Sequence, residues 1–147
     1  MPDLLNNIRS SSMNKKLRDE LIRRAVTAKQ TSYSPYSKFR VGAAILTSDG
    51  EIFSGCNVEN ASYGLAICAE RNAVFQAAFA GKRKIIAVAV TSDEKSFLTP
   101  CGACRQVISE FAAGNAEIVL ITVDGKTKSV KFGKIFPTPL KLEKLKK

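Results

Sequence analysis

The chain has 147 residues, of which 45% are hydrophobic, and a formal net charge of +10. That length suits one domain with a core of its own, and no apolar run approaches the roughly 20 residues that a membrane-spanning helix needs. There is no His, so a metal must be held by Cys, Asp or Glu, and an acid–base catalyst must be something other than imidazole.

Residues 1–13 read as a loose polar leader without the apolar centre of a signal peptide. This points to the cytoplasm, where thiols stay reduced. Asn14 is placed to cap a helix running to about Gln30, with Leu17, Leu21, Ala25 and Ala28 as its apolar stripe. The stretch 31–37 breaks that helix. Arg40 to Thr47 and Glu51 to Asn57 read as strands joined by a Ser48-Asp49-Gly50 turn, hence an antiparallel hairpin. After a polar loop from Val58 to Leu65, an Ala-rich helix is expected from Ala66 to Ala80, stopped by Gly81.

Ile85 to Thr91 is a continuous β-branched apolar run, the mark of a strand buried on both faces. Ser92 to Thr99 reads as a loop, Gly102 to Ala113 as a second helix stopped by Gly114, and Glu117 to Val123 as another buried strand. Ser129 to Phe132 is a weaker strand. Residues 137–147 form a basic tail opened by Pro137 and Pro139. Eight of the 23 basic residues are lysines from Lys126 onward, where Glu143 is the only acid. Such a run reads first as a solvated surface, while the net charge leaves nucleic acid open as a partner. The order of elements predicts an α/β fold, a three-layer α/β/α sandwich around a five-stranded mixed sheet, in a single domain spanning 1–147.

Two stretches carry the chemistry. Cys68-Ala69-Glu70 opens one helix, and Pro100-Cys101-Gly102-Ala103-Cys104 opens the other. At a helix start the free backbone N–H groups favour thiolate over thiol, and a close Cys-x-x-Cys pair in a reducing compartment points to metal or redox chemistry. Three thiolates on a zinc ion leave a fourth position open, the arrangement of a catalytic site, with Glu70 two residues from the first ligand. The alternative is a closed structural zinc completed by Cys56, in which Glu70 is an ordinary first-turn acid. Three thiolates around Zn²⁺ leave a net charge of about −1, which Arg71 could offset by hydrogen bonding to a ligand sulfur. Otherwise Arg71 makes a surface salt bridge.

Four blocks lie between Tyr33 and Pro137: Tyr36-Ser37-Lys38-Phe39-Arg40-Val41-Gly42-Ala43-Ala44, Asn57-Val58-Glu59-Asn60-Ala61-Ser62-Tyr63, Cys68-Ala69-Glu70-Arg71 and Pro100-Cys101-Gly102-Ala103-Cys104-Arg105-Gln106. With them the chain resembles the compact, homotetrameric cytidine deaminases of the wider zinc deaminase superfamily. The resemblance implies one Zn²⁺ per subunit on Cys68, Cys101 and Cys104, and Glu70 as the proton shuttle. It implies Phe39 against the pyrimidine, Asn57 and Glu59 on the ribose 3′-hydroxyl, and backbone near Ala69 reading the ring edge. Ala61 and Tyr63 would border a neighbouring subunit's site. The implied reaction is deamination of cytidine and 2′-deoxycytidine in pyrimidine salvage. Without these motifs Phe39 reads as core and Asn57 and Glu59 as a solvated loop. The rival readings are a polynucleotide deaminase, a blasticidin-type deaminase and a non-enzymatic zinc module for nucleic acid. Leu140 stands where the family places a Phe that closes over substrate.

Overall fold

The computed structural model describes residues 13–142. The expected leader, Met13 apart, and the last five residues of the basic tail lie outside this range. The first helix, α1, spans Lys15–Lys29 and is capped as anticipated, with Asn14 Oδ1 accepting from the Leu17 N–H at 2.8 Å. The hairpin is β1 (Val41–Thr47) and β2 (Ile52–Cys56). A single 3₁₀ turn, Tyr63–Leu65, precedes α2 (Ala69–Phe79), followed by β3 (Ile85–Ser92), α3 (Gly102–Phe111), β4 (Ala112–Ile121), β5 (Thr127–Lys131) and a one-turn helix α4 (Phe132–Ile135).

The five strands form one mixed sheet in the order β2-β1-β3-β4-β5. The β3–β4 pair is parallel and the other three are antiparallel. Alternate residues of the central strands point to opposite faces. On one face Ala44, Leu46, Ala87, Ala89 and Val119 pack against Leu17, Leu21 and Ala25 of α1. On the other, Ala43, Ile45, Val88, Val90 and Ile118 pack against Ala73, Val74 and Ala77 of α2 and Ile108 of α3. The central strands therefore carry apolar side chains at consecutive positions, because both sides of the sheet are covered.

Two glycines let the helices lie directly on the hairpin. A Cβ on Gly42 would sit 2.2 Å from Ala25 O of α1, and one on Gly55 would sit 2.6 Å from Ala73 N of α2. The end of α1 is thus drawn towards the start of β1, and α2 towards β2. These two approaches bring the loops at 31–40 and 57–68 together.

Several boundaries differ from expectation. The second helix starts at Ala69 rather than Ala66, because Ile67 bridges to Val58 in extended conformation and leaves Cys68 as the cap. The third helix ends at Phe111, and Gly114 lies within β4 rather than terminating a helix. There it packs backbone to backbone on Gly133, whose Cβ position would be 3.2 Å from Gly114 O. The last strand is Thr127–Lys131, and Phe132 leaves it to bury its ring at 2% exposure. Gly81 does end α2, with φ +85°. No helix among the described residues is long and apolar enough to cross a membrane.

Candidate active site

The thiols meet because two helices start side by side. Cys68 is the N-cap of α2, Cys101 is the N-cap of α3, and Cys104 lies in the first turn of α3. Their sulfurs are 3.8 Å apart for Cys68–Cys101 and 3.4 Å for Cys101–Cys104, and all three lie within 4.8 Å of one another. A tetrahedral zinc with Zn–S bonds of about 2.3 Å requires sulfurs roughly 3.8 Å apart, so the residues present fit that ion. Among the described residues this cluster holds three thiols and no more. Cys56 lies on β2 with its sulfur 3.4 Å from Thr31 O, outside the cluster, so the closed four-thiol site is corrected.

The electrostatics suit a cation. Hydrogen bonds from Cys104 first, then from Arg71 and Cys101, pull the Cys68 thiol down to about 5. Cys104 moves the opposite way, since it shares its proton with Cys68, is buried, and faces the charges of Glu70 and Cys68. Burial raises the Glu70 carboxyl above the usual range, and the neighbouring Cys68 thiolate adds to this. Anionic groups this close cannot all ionise unless a cation sits among them. Arg71 Nη2 donates to Cys68 Sγ at 3.5 Å, which places the guanidinium on a ligand sulfur rather than in a surface salt bridge. Its Nε is buried without a partner.

A cavity of about 390 Å³ opens over this cluster. Cys68, Ala69, Glu70 and Cys101 contribute to its lining, as do Phe39, Asn57 and Glu59. Cys104 lies fully buried behind it. Ala61 and Tyr63 do not line it. Tyr63 is 78% exposed, stands edge-on to the Tyr36 ring at 6.1 Å, and borders a separate recess that shares Glu59. Leu140 is also absent from the lining. Its backbone N–H and C=O both pair with the Gln106 side-chain amide, at 3.2 and 3.1 Å.

Asn57 and Glu59 are not a solvated loop. Asn57 Oδ1 accepts from the Val41 N–H at 2.8 Å and from the Ser32 hydroxyl, while Nδ2 donates to Phe39 O at 2.8 Å. Glu59 Oε1 accepts from the Tyr36 and Ser37 N–H groups at 3.0 and 3.1 Å, and Oε2 accepts from the Ser37 hydroxyl. The Ser37 bond, ahead of the backbone ones, lowers the Glu59 pKa. Lys38, between Ser37 and Phe39, adopts φ +60°, a left-handed turn that delivers the half-buried Phe39 to the cavity wall.

Sequence reading missed two clusters. Asp93, just past β3, accepts from Arg40 N, Nε and Nη2 at 3.0, 3.1 and 3.0 Å, and the buried Lys29 ammonium stands 3.4 Å away. These bonds, from Arg40 above all, hold the Asp93 pKa down at about 2. Arg105 donates to Pro100 O, Thr99 Oγ1 and Ile135 O at 2.7, 2.8 and 3.0 Å, tying the loop before Cys101 to the C-terminal segment. Arg40 and Arg105 both stand inside family motifs, but nothing near them in the chain signals Asp93 or Ile135 as their partners.

A family model for the cytidine and deoxycytidylate deaminase zinc-binding region matches residues 15–122. A cytidine deaminase of Halalkalibacterium halodurans is 43% identical over 120 residues, covering 82% of this chain and 91% of that protein. A probable cytidine deaminase of Dictyostelium discoideum is 46% identical over 126 residues, covering 85% and 84%. Among solved structures, the cytidine deaminase from Burkholderia pseudomallei superposes with a TM-score of 0.79 at 45% identity, over 83% of this chain and 98% of that one.

Proposed function

This chain belongs to the cytidine and deoxycytidylate deaminase family, and we propose that it hydrolyses cytidine and 2′-deoxycytidine to uridine and 2′-deoxyuridine with release of ammonia. The observation that carries this reading is the convergence of Glu70, the thiol cluster, Asn57 and Glu59 on one cavity. Cys68, Cys101 and Cys104 would hold one zinc ion per subunit, which when bound would supply Lewis-acid activation of water.

Glu70 takes a proton from the attacking water and gives it to ring N3 as the C4–O bond forms. It then carries the remaining hydroxyl proton to the 4-amino group as the C4–N bond breaks, so that ammonia leaves and the C4 carbonyl stays. One carboxyl serves as base and then as acid because both protons pass within its reach. Arg71 draws charge from the Cys68 sulfur and so offsets the electron-rich donor set. Phe39 packs on the pyrimidine, and the backbone at Ala69 reads its edge.

The sugar contact follows from counting hydrogen-bond capacity. An amide oxygen has two lone pairs, and both on Asn57 are taken; its nitrogen has two hydrogens, and one is free. Glu59 Oε2 keeps one acceptor position. One hydroxyl that accepts from Asn57 and donates to Glu59 satisfies both, and the resemblance to the cytidine deaminases implies that the ribose 3′-hydroxyl is that group.

Large exposed apolar side chains support a homotetramer, in which Ala61 and Tyr63 of one subunit border the next subunit's cavity. Phe79 is 96% exposed, and Tyr63 and Leu65 flank the same loop. We read the whole chain as a single cytoplasmic domain, with none of its four cysteines in a disulfide.

The test is ultraviolet-monitored conversion of cytidine by the zinc-loaded protein, with ammonia release as a second readout. Stoichiometric uridine and ammonia are expected. A folded, zinc-loaded protein that leaves cytidine untouched while deaminating single-stranded RNA or DNA would overturn the nucleoside reading.

A further inference from the structure

Ser32 lies in the loop after α1, and this loop runs alongside the sugar-side residues. Tyr33 N–H donates to Asn57 O at 3.1 Å, and Glu59 N–H donates to Tyr33 O at 2.8 Å. The half-buried Ser32 hydroxyl lies on Asn57 Oδ1, with Ser34 Oγ a second neighbour at 3.2 Å.

That hydroxyl is not needed to choose which way the Asn57 amide faces. The Val41 N–H on one end and the Phe39 carbonyl on the other already decide it, since a flipped amide would set donor against donor and acceptor against acceptor. What Ser32 adds is occupancy of the second lone pair on Oδ1. Without it the oxygen can accept from water or from a ligand hydroxyl. With it, the only capacity Asn57 has left is one N–H, and donation into its carbonyl strengthens that N–H through the amide.

We infer that Ser32 is a positioning residue that makes Asn57 a one-way donor, and thereby a determinant of selectivity for nucleosides that carry a 3′-hydroxyl. This inference rests on the reading of Asn57 and Glu59 as sugar ligands. The two carboxylate–amide partners then have opposite polarity: Asn57 only gives, and Glu59 only accepts. A hydroxyl satisfies this pair and a hydrogen does not, and a site left with unpaired polar groups rejects the deoxy analogue.

The experiment is steady-state kinetics of the wild-type enzyme, Ser32→Ala and Ser32→Thr on cytidine and on 3′-deoxycytidine. Ser32→Ala is expected to raise KM for cytidine about three- to tenfold, the size of one neutral hydrogen bond, with kcat within about twofold. KM for 3′-deoxycytidine should not move, and Ser32→Thr, which keeps the hydroxyl, should restore the wild-type KM. An equal loss on both substrates, or no loss on either, would overturn the role and leave Ser32 as a loop residue. Because both substrates meet the same variant, a general loosening of the fold shows as the equal loss. The underlying sugar reading fails separately, if the wild-type enzyme itself handles cytidine and 3′-deoxycytidine alike.

Discussion

The two halves of the site are built in opposite ways. In the thiol cluster, three sulfurs and a buried carboxyl are held close together by helix starts, and their main partners are one another and Arg71. In the cradle around Asn57 and Glu59, these two side chains are almost fully engaged by backbone groups and by the Ser32 and Ser37 hydroxyls. The first half is a set of ligands suited to one ion. The second is a piece of architecture with one donor and one acceptor to spare. On the proposed function, residues of the first kind should be replaceable with loss of chemistry and little loss of fold, whereas those of the second should serve fold and specificity together.

The sharpest way to break this contrast is Cys104→Ala. It should abolish zinc retention and turnover together, as read by metal analysis of the dialysed protein beside the ultraviolet assay, since two thiolates do not make a three-ligand site. A variant that kept one zinc per chain would show that the cluster is not the metal site. Next in size is Glu70→Gln. It should keep zinc while kcat falls by about 10²- to 10⁴-fold, the usual contribution of a general acid–base group. Near-normal turnover with metal in place would remove Glu70 from the mechanism.

Glu59→Gln probes the cradle. Its carbonyl oxygen can still accept from the Tyr36 and Ser37 N–H groups, but its amide nitrogen cannot accept from a sugar hydroxyl. KM for cytidine should rise about tenfold with kcat little changed and melting temperature nearly preserved. A fall in kcat without a change in KM would place Glu59 in the chemistry instead.

The smallest effect concerns Asp93, which supports the cradle from behind through Arg40. Its folded-state pKa is held near 2, below the unfolded value of about 4, so its stabilising contribution is present above pH 4 and lost as the pH falls towards 2. Asp93→Asn should therefore cost about 1 to 2 kcal/mol near neutral pH and much less near pH 2, as read by thermal melts across that range. A cost independent of pH would mean that packing, not charge, is what the residue provides.

How much of this was legible depended on the distance along the chain. The cap at Asn14, the stop at Gly81 and the apolar stripe of α1 are local features, and each was readable from a few neighbours. The thiol cluster was also readable, because two helix starts carry their own signals and a β-strand return places them side by side. The start of β4 was not. Gly114 looked like a helix stop, and only its packing on Gly133 makes it part of a strand. The placing of Leu140 was not readable either: the Gln106 side chain ties its backbone to α3 across 34 positions.

By itself, then, the sequence determined the layers, the five strands and the metal chemistry, since periodicity and spacing are properties of adjacent residues. Only the tertiary structure decided that Asn57 joins Ser32, Phe39 and Val41, that Asp93 joins Arg40 and Lys29, and that Cys56 stays apart from the other thiols. Those pairings span 16 to 64 positions along the chain. They exist because the sheet order and two glycine contacts bring distant loops together, and nothing in a short window of sequence encodes that.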